Sequence, residues 1–201
     1  HIQGPVVVTF VDTIAKTDFS VVERCDADGI VFVKEVVDPR RFGVAIVENG
    51  YVSQFIEKPT TLEHRLTVIG LYYVRDGEHL IRAADRLIAS GKQTRGEYFL
   101  TDTLQLMVND GAKFRVAEVD VWEDCGKADA VLQTNRYLLA HGHDNSGVAA
   151  REGSLIIPPV NIAPTARIQR SIVGPNVTVA AGCAIENALV EDSIIDEGAT
   201  L

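Results

Sequence analysis

Residues 52 to 61, V-S-Q-F-I-E-K-P-T-T, run an apolar strand straight into an acid, a base and a proline. An ammonium at Lys58 suits a phosphate as a point charge, and Glu57 can accept hydrogen bonds from hydroxyl groups. Pro59 disfavours helix at Lys58 and biases it toward an extended backbone. Strand ends are where sheet enzymes keep their chemistry. For an isolated E-K-P, a solvated turn with a surface ion pair is the commoner explanation. Other carboxylates share the strand-end placement. T-F-V-D-T sets Asp12 at the C-terminal end of the first strand, and V-W-E-D-C-G sets Asp124 after a later one, with Gly126 leaving room for close approach. Two such aspartates could converge on one Mg2+, which takes a couple of carboxylates plus phosphate oxygens and water. Taken singly, each reads more readily as the N-cap of a following helix. Adding Gly43 of D-P-R-R-F-G-V, where a strand begins, completes the ingredients of a sugar-phosphate site.

These residues need a scaffold, and two regions of different grammar supply it. V-V-V-T-F-V and G-I-V-F-V-K-E-V are continuous apolar runs, expected of strands covered on both faces. Asn49-Gly50 between two strand-like runs is a strong hairpin signal. L-T-V-I-G-L-Y-Y-V-R reads as a further strand. In G-E-H-L-I-R-A-A-D-R-L-I-A-S-G, Leu80, Ala83, Ala84, Leu87 and Ile88 recur at helical spacing before Gly91. E-Y-F-L-T-D-T-L-Q-L-M-V-N-D-G reads the same way, with Glu97 and Asp102 as helix-capping acids. K-F-R-V-A-E-V-D-V is a strand, Trp122 a packing residue, and K-A-D-A-V-L-Q-T-N-R-Y-L-L-A a last helix. The alternation predicts an α/β domain with a mixed sheet over residues 1–143.

H-G-H-D-N-S-G, residues 141 to 147, reads as a flexible polar linker. His141 and His143 lack a third nearby ligand for a metal. The domain boundary is placed at 144–152. From 153 to 201, Ile156, Ile162 and Ile168 recur every six residues, followed by Val173, Val179, Ile185, Ile195 and Leu201. Turn formers such as Pro175-Asn176 and Glu197-Gly198 lie between them. A six-residue period is the signature of a β-helix, each repeat forming one flat side of a triangular coil. Two ordinary hairpins would show alternation at period two instead. A coil edge left open at Leu201 must be covered by further sequence, covered by another subunit, or left bare.

The formal net charge of −9 argues against nonspecific nucleic-acid binding, which needs a basic stripe. No apolar run approaches the roughly 20 residues that span a bilayer. Cys25, Cys125 and Cys183 are odd in number and widely spaced, with no C-x-x-C, which fits neither a disulfide framework nor zinc. With no secretory signal before the first strand, a cytoplasmic setting is expected. Beginning at His1 and stopping inside a repeat, the chain is expected to be a piece of a longer protein.

D-P-x-x-F-G-V, a hairpin into E-K-P, then G-L-Y, G-E-Y-x-x-T-D, W-x-D-x-G and a closing helix follow one another in this sequence. In that order they resemble the second half of a sugar-1-phosphate nucleotidyltransferase of the glucose-1-phosphate thymidylyltransferase type, over nearly the whole chain. The resemblance implies a Rossmann-like mixed sheet followed by a left-handed parallel β-helix of hexapeptide repeats, and a homo-oligomer. It implies that Asp12 and Asp124 hold a catalytic Mg2+, that Lys58 grips the sugar phosphate and that Glu57 contacts sugar hydroxyls. It also implies that the Gly43 backbone meets the hexose and that Tyr72 lines the pocket wall. Val11 departs from the usual glycine before the first aspartate, so the backbone approach to ligand is less assured there. The implied substrates are a hexose-1-phosphate and a nucleoside triphosphate, with neither base nor hexose fixed by the residues present. The family's G-x-G-T-R loop and following P-K are not in this sequence, so the chain by itself is expected to be inactive. The alternative is a non-catalytic regulatory or scaffold subunit of the same architecture. Acyl transfer by the β-helix is disfavoured because no histidine follows His143.

Overall fold

A computed structural model of the chain describes residues 3–147 and 153–201. The chain divides into two compact units, 1–122 and 123–201. The first contains β1 (Val6–Thr9), β2 (Thr13–Lys16), α1 (Ser20–Glu23), β3 (Gly29–Glu35), β4 (Gly43–Glu48), β5 (Tyr51–Glu57), β6 (Leu66–Val74), α2 (Gly77–Ser90), α3 (Leu100–Asn109) and β7 (Phe114–Glu118). Strand β8 (Val121–Asp124) runs across the division. The second unit continues with α4 (Ala128–Leu138), a π-type turn at Leu139–His143, and eight short strands: β9 (Leu155–Ile156), β10 (Val160–Ile162), β11 (Arg167–Gln169), β12 (Ile172–Val173), β13 (Val177–Val179), β14 (Ala184–Glu186), β15 (Leu189–Val190) and β16 (Ile194–Ile195).

The first unit is built on a mixed sheet in the order β5-β4-β6-β3-β7, with β1 added antiparallel along β6. Side chains alternate between the two faces of a strand, and the apolar runs use both. Val31 and Val33 of β3 and Val68, Tyr72 and Val74 of β6 pack with Leu80 and Ala83 of α2 and Leu104 and Met107 of α3. Ile30, Phe32, Ile69 and Leu71 join the opposite core with Val119. The apolar run at β1 behaves differently from expectation: Val7 is 55% exposed. Among the described residues β1 pairs only with β6, so one of its edges and much of one face stay open.

Asn49 (φ +52°) and Gly50 (φ +82°) close the β4–β5 hairpin, both in the left-handed region that a two-residue turn requires. Helix α2 starts at Asp76, whose carboxylate accepts the His79 N–H at 3.0 Å, and ends at left-handed Gly91. Helix α3 starts two residues later than a Glu97 cap would place it. Its N-cap is Phe99, with no capping side chain, and Asp102 lies inside the first turn. The strand expected at 113–121 breaks at Val119-Asp120, where Lys34 Nζ binds both carbonyls at 3.0 and 2.9 Å.

In the second unit the eight strands form three parallel sheets: β10-β13-β16, β11-β14 and β15-β12-β9. Paired residues lie 16 or 17 positions apart in sequence, as Val160 with Val177 and Val179 with Ile195. Ile162, Ile168, Val173, Val179 and Ile185 are buried in one core with Val160, Val177, Cys183 and Val190. Of the periodic positions, Leu201 is the exception, being exposed.

The boundary between the units falls earlier than the sequence suggests. Helix α4 belongs with the short strands because its polar face is bonded to them. Thr178 Oγ1 donates to Asn135 Oδ1 at 2.6 Å, Asn135 Nδ2 donates to the Asn176 carbonyl at 3.1 Å, and Arg136 pairs with Asp192 at 2.8 Å. The expected flexible linker is also fastened over its described part, up to residue 147. Asp144 accepts the Val160 N–H at 2.9 Å, and Asn145 bonds Ile162 through both its amide oxygen (2.9 Å) and its amide nitrogen (3.0 Å). These polar side chains supply partners to strand backbone, which is why a polar sequence here is ordered structure. Of the expected linker, residues 148–152 lie outside the described residues.

Candidate active site

Strand β5 ends at Glu57 opposite Gly43, the first residue of β4. The Glu57 carboxylate lies over the Gly43 α-carbon, where a Cβ would come within 2.8 Å of Glu57 Oε2, 2.7 Å of Thr101 Cγ2 and 2.9 Å of Val68 Cγ2. Thr101, buried in the first turn of α3, donates to Glu57 Oε2 at 2.6 Å. Burial pushes the Glu57 carboxyl above its ordinary range, opposed by the Thr101 hydroxyl and the Lys58 ammonium, with Asp102 adding to the rise and Arg95 opposing it. A carboxylate in this setting has strong acceptor capacity and little water.

Lys58 departs from the extended backbone that its proline predicts. Its φ is +47°, in the left-handed region. Contacts on both sides hold it there: the Lys58 N–H donates to the Phe42 carbonyl at 2.9 Å, and its own carbonyl accepts from Arg95 Nη2 at 2.9 Å. The chain thus turns sharply off the β4–β5 ladder. The ammonium lies 4.2 Å from the centre of the Phe99 ring and 3.6 Å from Glu97 Oε2. Glu97 is therefore an ion-pair partner of Lys58 and not a helix cap. It stands on a tight turn, with Arg95 at φ +51° and Gly96 at φ +83° between the mutually bonded Thr94 and Glu97.

Tyr72 is 2% exposed in the middle of β6, paired with Val8 and Val31. Its hydroxyl is pushed well above the usual tyrosine range, first by burial and then by the charge of Glu57, which makes it a neutral neighbour of that acid. Trp122 packs edge-on against Phe42 at 5.0 Å, as expected of a packing residue. Its indole N–H, however, is buried with no hydrogen-bond partner. A buried donor without an acceptor is costly and calls for a partner. Arg95, Thr101 and the Trp122 N–H are the residues that sequence reading missed. The signals available were the R-G pair of a tight turn and the threonine inside G-E-Y-F-L-T-D.

Asp12 is exposed in the turn after β1. That turn is held by the Phe10 N–H on the Gly70 carbonyl at 2.8 Å and by Thr13 Oγ1 on the Ile69 carbonyl at 2.9 Å. Strand β2 follows it, and the next helix takes Phe19 as N-cap, so Asp12 caps nothing. Asp124 ends β8 and accepts the Gly126 N–H at 3.0 Å, while the N-cap of α4 is Lys127. The helix-cap reading fails at both aspartates. Among the described residues no group of three or more histidines, cysteines or acids is placed to hold a metal. Taken singly, Asp12 and Asp124 are each hard carboxylates, the donor type that magnesium takes from a protein while phosphates and water fill its other positions. The three cysteines are free thiols, and no helix among the described residues is long and apolar enough to cross a membrane.

Residues 7–141 match the Nucleotidyl transferase family. A glucose-1-phosphate thymidylyltransferase of Streptomyces griseus is 28% identical over 193 residues, covering 87% of this chain and 53% of the relative. The bifunctional protein GlmU of Methanococcus aeolicus is 27% identical over 140 residues, covering 69% of this chain and 33% of the relative. The chain thus spans about half the length of the first of these relatives and a third of the second. A crystal structure of a nucleoside-diphosphate-sugar pyrophosphorylase from Vibrio cholerae superposes with a TM-score of 0.56 at 20% identity, covering 66% of this chain and 56% of that one, and shares the fold.

Proposed function

The chain belongs to the nucleotidyl transferase family, and from that premise we propose that its parent protein joins a hexose-1-phosphate to a nucleoside triphosphate, giving a nucleoside-diphosphate hexose and pyrophosphate. The observation that carries this reading is the Glu57 carboxylate, half-buried over Gly43, braced by Thr101 and followed at once by Lys58. Such an acid suits sugar hydroxyls as an acceptor, and the adjoining ammonium suits the phosphate on the same sugar. Arg95 adds a second cation beside Lys58. The partnerless Trp122 N–H supports a polar occupant near Phe42.

In the reaction, a phosphate oxygen of the sugar phosphate attacks the α-phosphorus of the triphosphate. A new P–O bond forms as the bond to the β-phosphate bridge breaks, and pyrophosphate leaves. No covalent enzyme intermediate is needed. The chain's own residues contribute alignment and charge neutralisation: Glu57 fixes the sugar, Lys58 holds the attacking phosphate, and Tyr72 and Gly43 set the wall and floor. Asp12 and Asp124 would hold magnesium, which when bound neutralises phosphate charge. That assignment rests on the resemblance and on the donor chemistry of the two carboxylates. The short parallel strands of 153–201 are read as a left-handed β-helix of hexapeptide repeats, supported by their 16- or 17-residue register. On this reading the sequence carries the sugar-phosphate half of such a site without the G-x-G-T-R loop, so this chain alone should bind without turnover.

Calorimetric titration of the chain with glucose-1-phosphate, glucose and inorganic phosphate tests the reading. Glucose-1-phosphate should bind more tightly than either fragment. Lys58→Ala should weaken the phosphate-bearing ligands, and Glu57→Gln the sugar-bearing ones. Equal affinity for inorganic phosphate and glucose-1-phosphate would remove the sugar site. In the full-length protein, Asp124→Asn should slow pyrophosphate release at least about a hundredfold, or ~2.7 kcal/mol of barrier; near-normal release would strip Asp124 of its metal role.

A further inference from the structure

One four-residue turn holds Lys58 at both its carbonyl and its ammonium. Thr94 and Glu97 donate their N–H groups to each other's carbonyls at 3.0 and 3.1 Å, and Arg95 and Gly96 between them are left-handed. From that fixed backbone Arg95 Nη2 reaches the Lys58 carbonyl at 2.9 Å, and the Glu97 carboxylate stands 3.6 Å from the Lys58 ammonium. The two contacts differ in kind. Arg95 closes a hydrogen bond of ordinary length. Glu97 lies well outside the roughly 2.7–2.9 Å of a charge-assisted bond, so it neutralises the ammonium without orienting it. Orientation comes from the Phe99 ring, whose centre is 4.2 Å from Lys58 Nζ. The Lys58 side chain is 27% exposed and that of Glu97 67%, which makes the carboxylate the hydrated, movable partner. Neither sugar nor phosphate alignment calls for an anion beside Lys58. For a phosphate site such an anion is a liability, because like charges a few ångströms apart repel.

We propose that Glu97 is the resident counter-ion of the phosphate site: its carboxylate pairs with Lys58 until a ligand phosphate takes its place. The proposal rests on the reading of Lys58 as the partner of a phosphate group, and it adds a residue that sets how tightly that phosphate is held. The exchange asks little of the structure. The turn is fixed by its own two bonds and by Arg95, so only the Glu97 side chain has to rotate into water. Phe99 meanwhile keeps the ammonium in place. A phosphate monoester carries nearly two charges at about pH 8 and accepts short bonds from an ammonium. It therefore displaces a single carboxylate standing at 3.6 Å. Every ligand that uses Lys58 must first break this pair, so Glu97 lowers affinity, and it does so only through Lys58. A residue that merely held the turn together would act in the opposite sense, since its loss would weaken binding.

Titration of the 201-residue chain with inorganic phosphate and with glucose-1-phosphate, followed by its amide NMR signals at about pH 8 and low salt, tests this. Glu97→Gln should tighten both ligands about two- to fivefold, the range that an exposed ion pair spans, with unchanged melting. In a Lys58→Ala background the same substitution should leave both affinities as they are. Binding by Glu97→Gln that is weaker than the wild type's, or equal to it, overturns the proposal. So does a tightening that survives Lys58→Ala, which would make Glu97 a general source of repulsion. If Glu97→Gln tightens inorganic phosphate while glucose-1-phosphate binds no better than phosphate, the counter-ion stands and the sugar site falls. If neither the wild type nor Glu97→Gln binds either ligand, Lys58 holds no phosphate and both fall.

Discussion

Replacing Gly43 with alanine adds one methyl group at the most crowded point of the candidate site. Three heavy atoms lie within 3.0 Å of the position it would take. Thr101 and Val68 are buried and cannot swing aside, while Glu57 is the flexible neighbour. Overpacking of this kind costs about 1–3 kcal/mol. If the Glu57 carboxylate moves away, the 2.6 Å bond from Thr101 is lost as well, and a hydrogen bond to a charged group contributes about 1.5–3 kcal/mol. Because the carboxylate regains water on moving, part of that loss is offset, and about 2–4 kcal/mol is expected in all. For a chain of this size that corresponds to a fall in melting temperature of about 5–15 °C. Melting followed by circular dichroism reads this directly, and titration with glucose-1-phosphate reads the site. Adding Thr101→Ser to Gly43→Ala removes the nearest methyl while keeping a hydroxyl, and should recover part of the loss. If Gly43→Ala melts within about a degree of the wild type, the packing argument is wrong.

The raised Glu57 carboxyl makes the folded form bind a proton more readily than the unfolded chain. Its contribution is unfavourable above the folded-state value and is relieved as pH falls through that value toward the ordinary 4.5. Glu57→Gln should therefore flatten the pH dependence of stability just above 4.5, read by urea denaturation; an unchanged profile would mean that Glu57 is not desolvated. Asp38 is held down to about 2, first by the Arg40 side chain and then by the Arg40 backbone N–H. Arg40→Gln should move its titration, followed by NMR, up toward 3.8; a midpoint that stays near 2 would refute the assignment. Asn145→Ala leaves the Ile162 N–H and carbonyl without their side-chain partner and should cost about 1–3 kcal/mol by chemical denaturation. A loss near zero would return residues 144–147 to the linker reading.

Much of this architecture is determined by sequence because short-range patterns carry it. Asn49-Gly50 marks a tight hairpin that pairs Glu48 with Tyr51, whereas the bulge between Ile46 and Val47 that shifts the ladder by one residue and sets Gly43 opposite Glu57 carries no such local signal. The apolar run of β3 must be covered on both sides, and it is. The periodic isoleucines and valines after 153 share one core. What only tertiary structure decides is long-range. Lys58 is left-handed in spite of its proline because Phe42 and Arg95, distant in sequence, hold its N–H and carbonyl. Glu97 pairs with Lys58 and caps no helix because a tight turn carries it away from α3. A polar stretch at 144–147 and the polar face of α4 look solvated in one dimension. They are structural because Val160, Ile162 and Thr178 need those partners. The row of Leu155, Ile172 and Leu189 is likewise invisible to a reading of single strands. It exists because parallel register stacks residues 17 apart in sequence side by side. Local pattern reports which face of an element wants burial, whereas only the folded chain determines which distant group arrives to cover it.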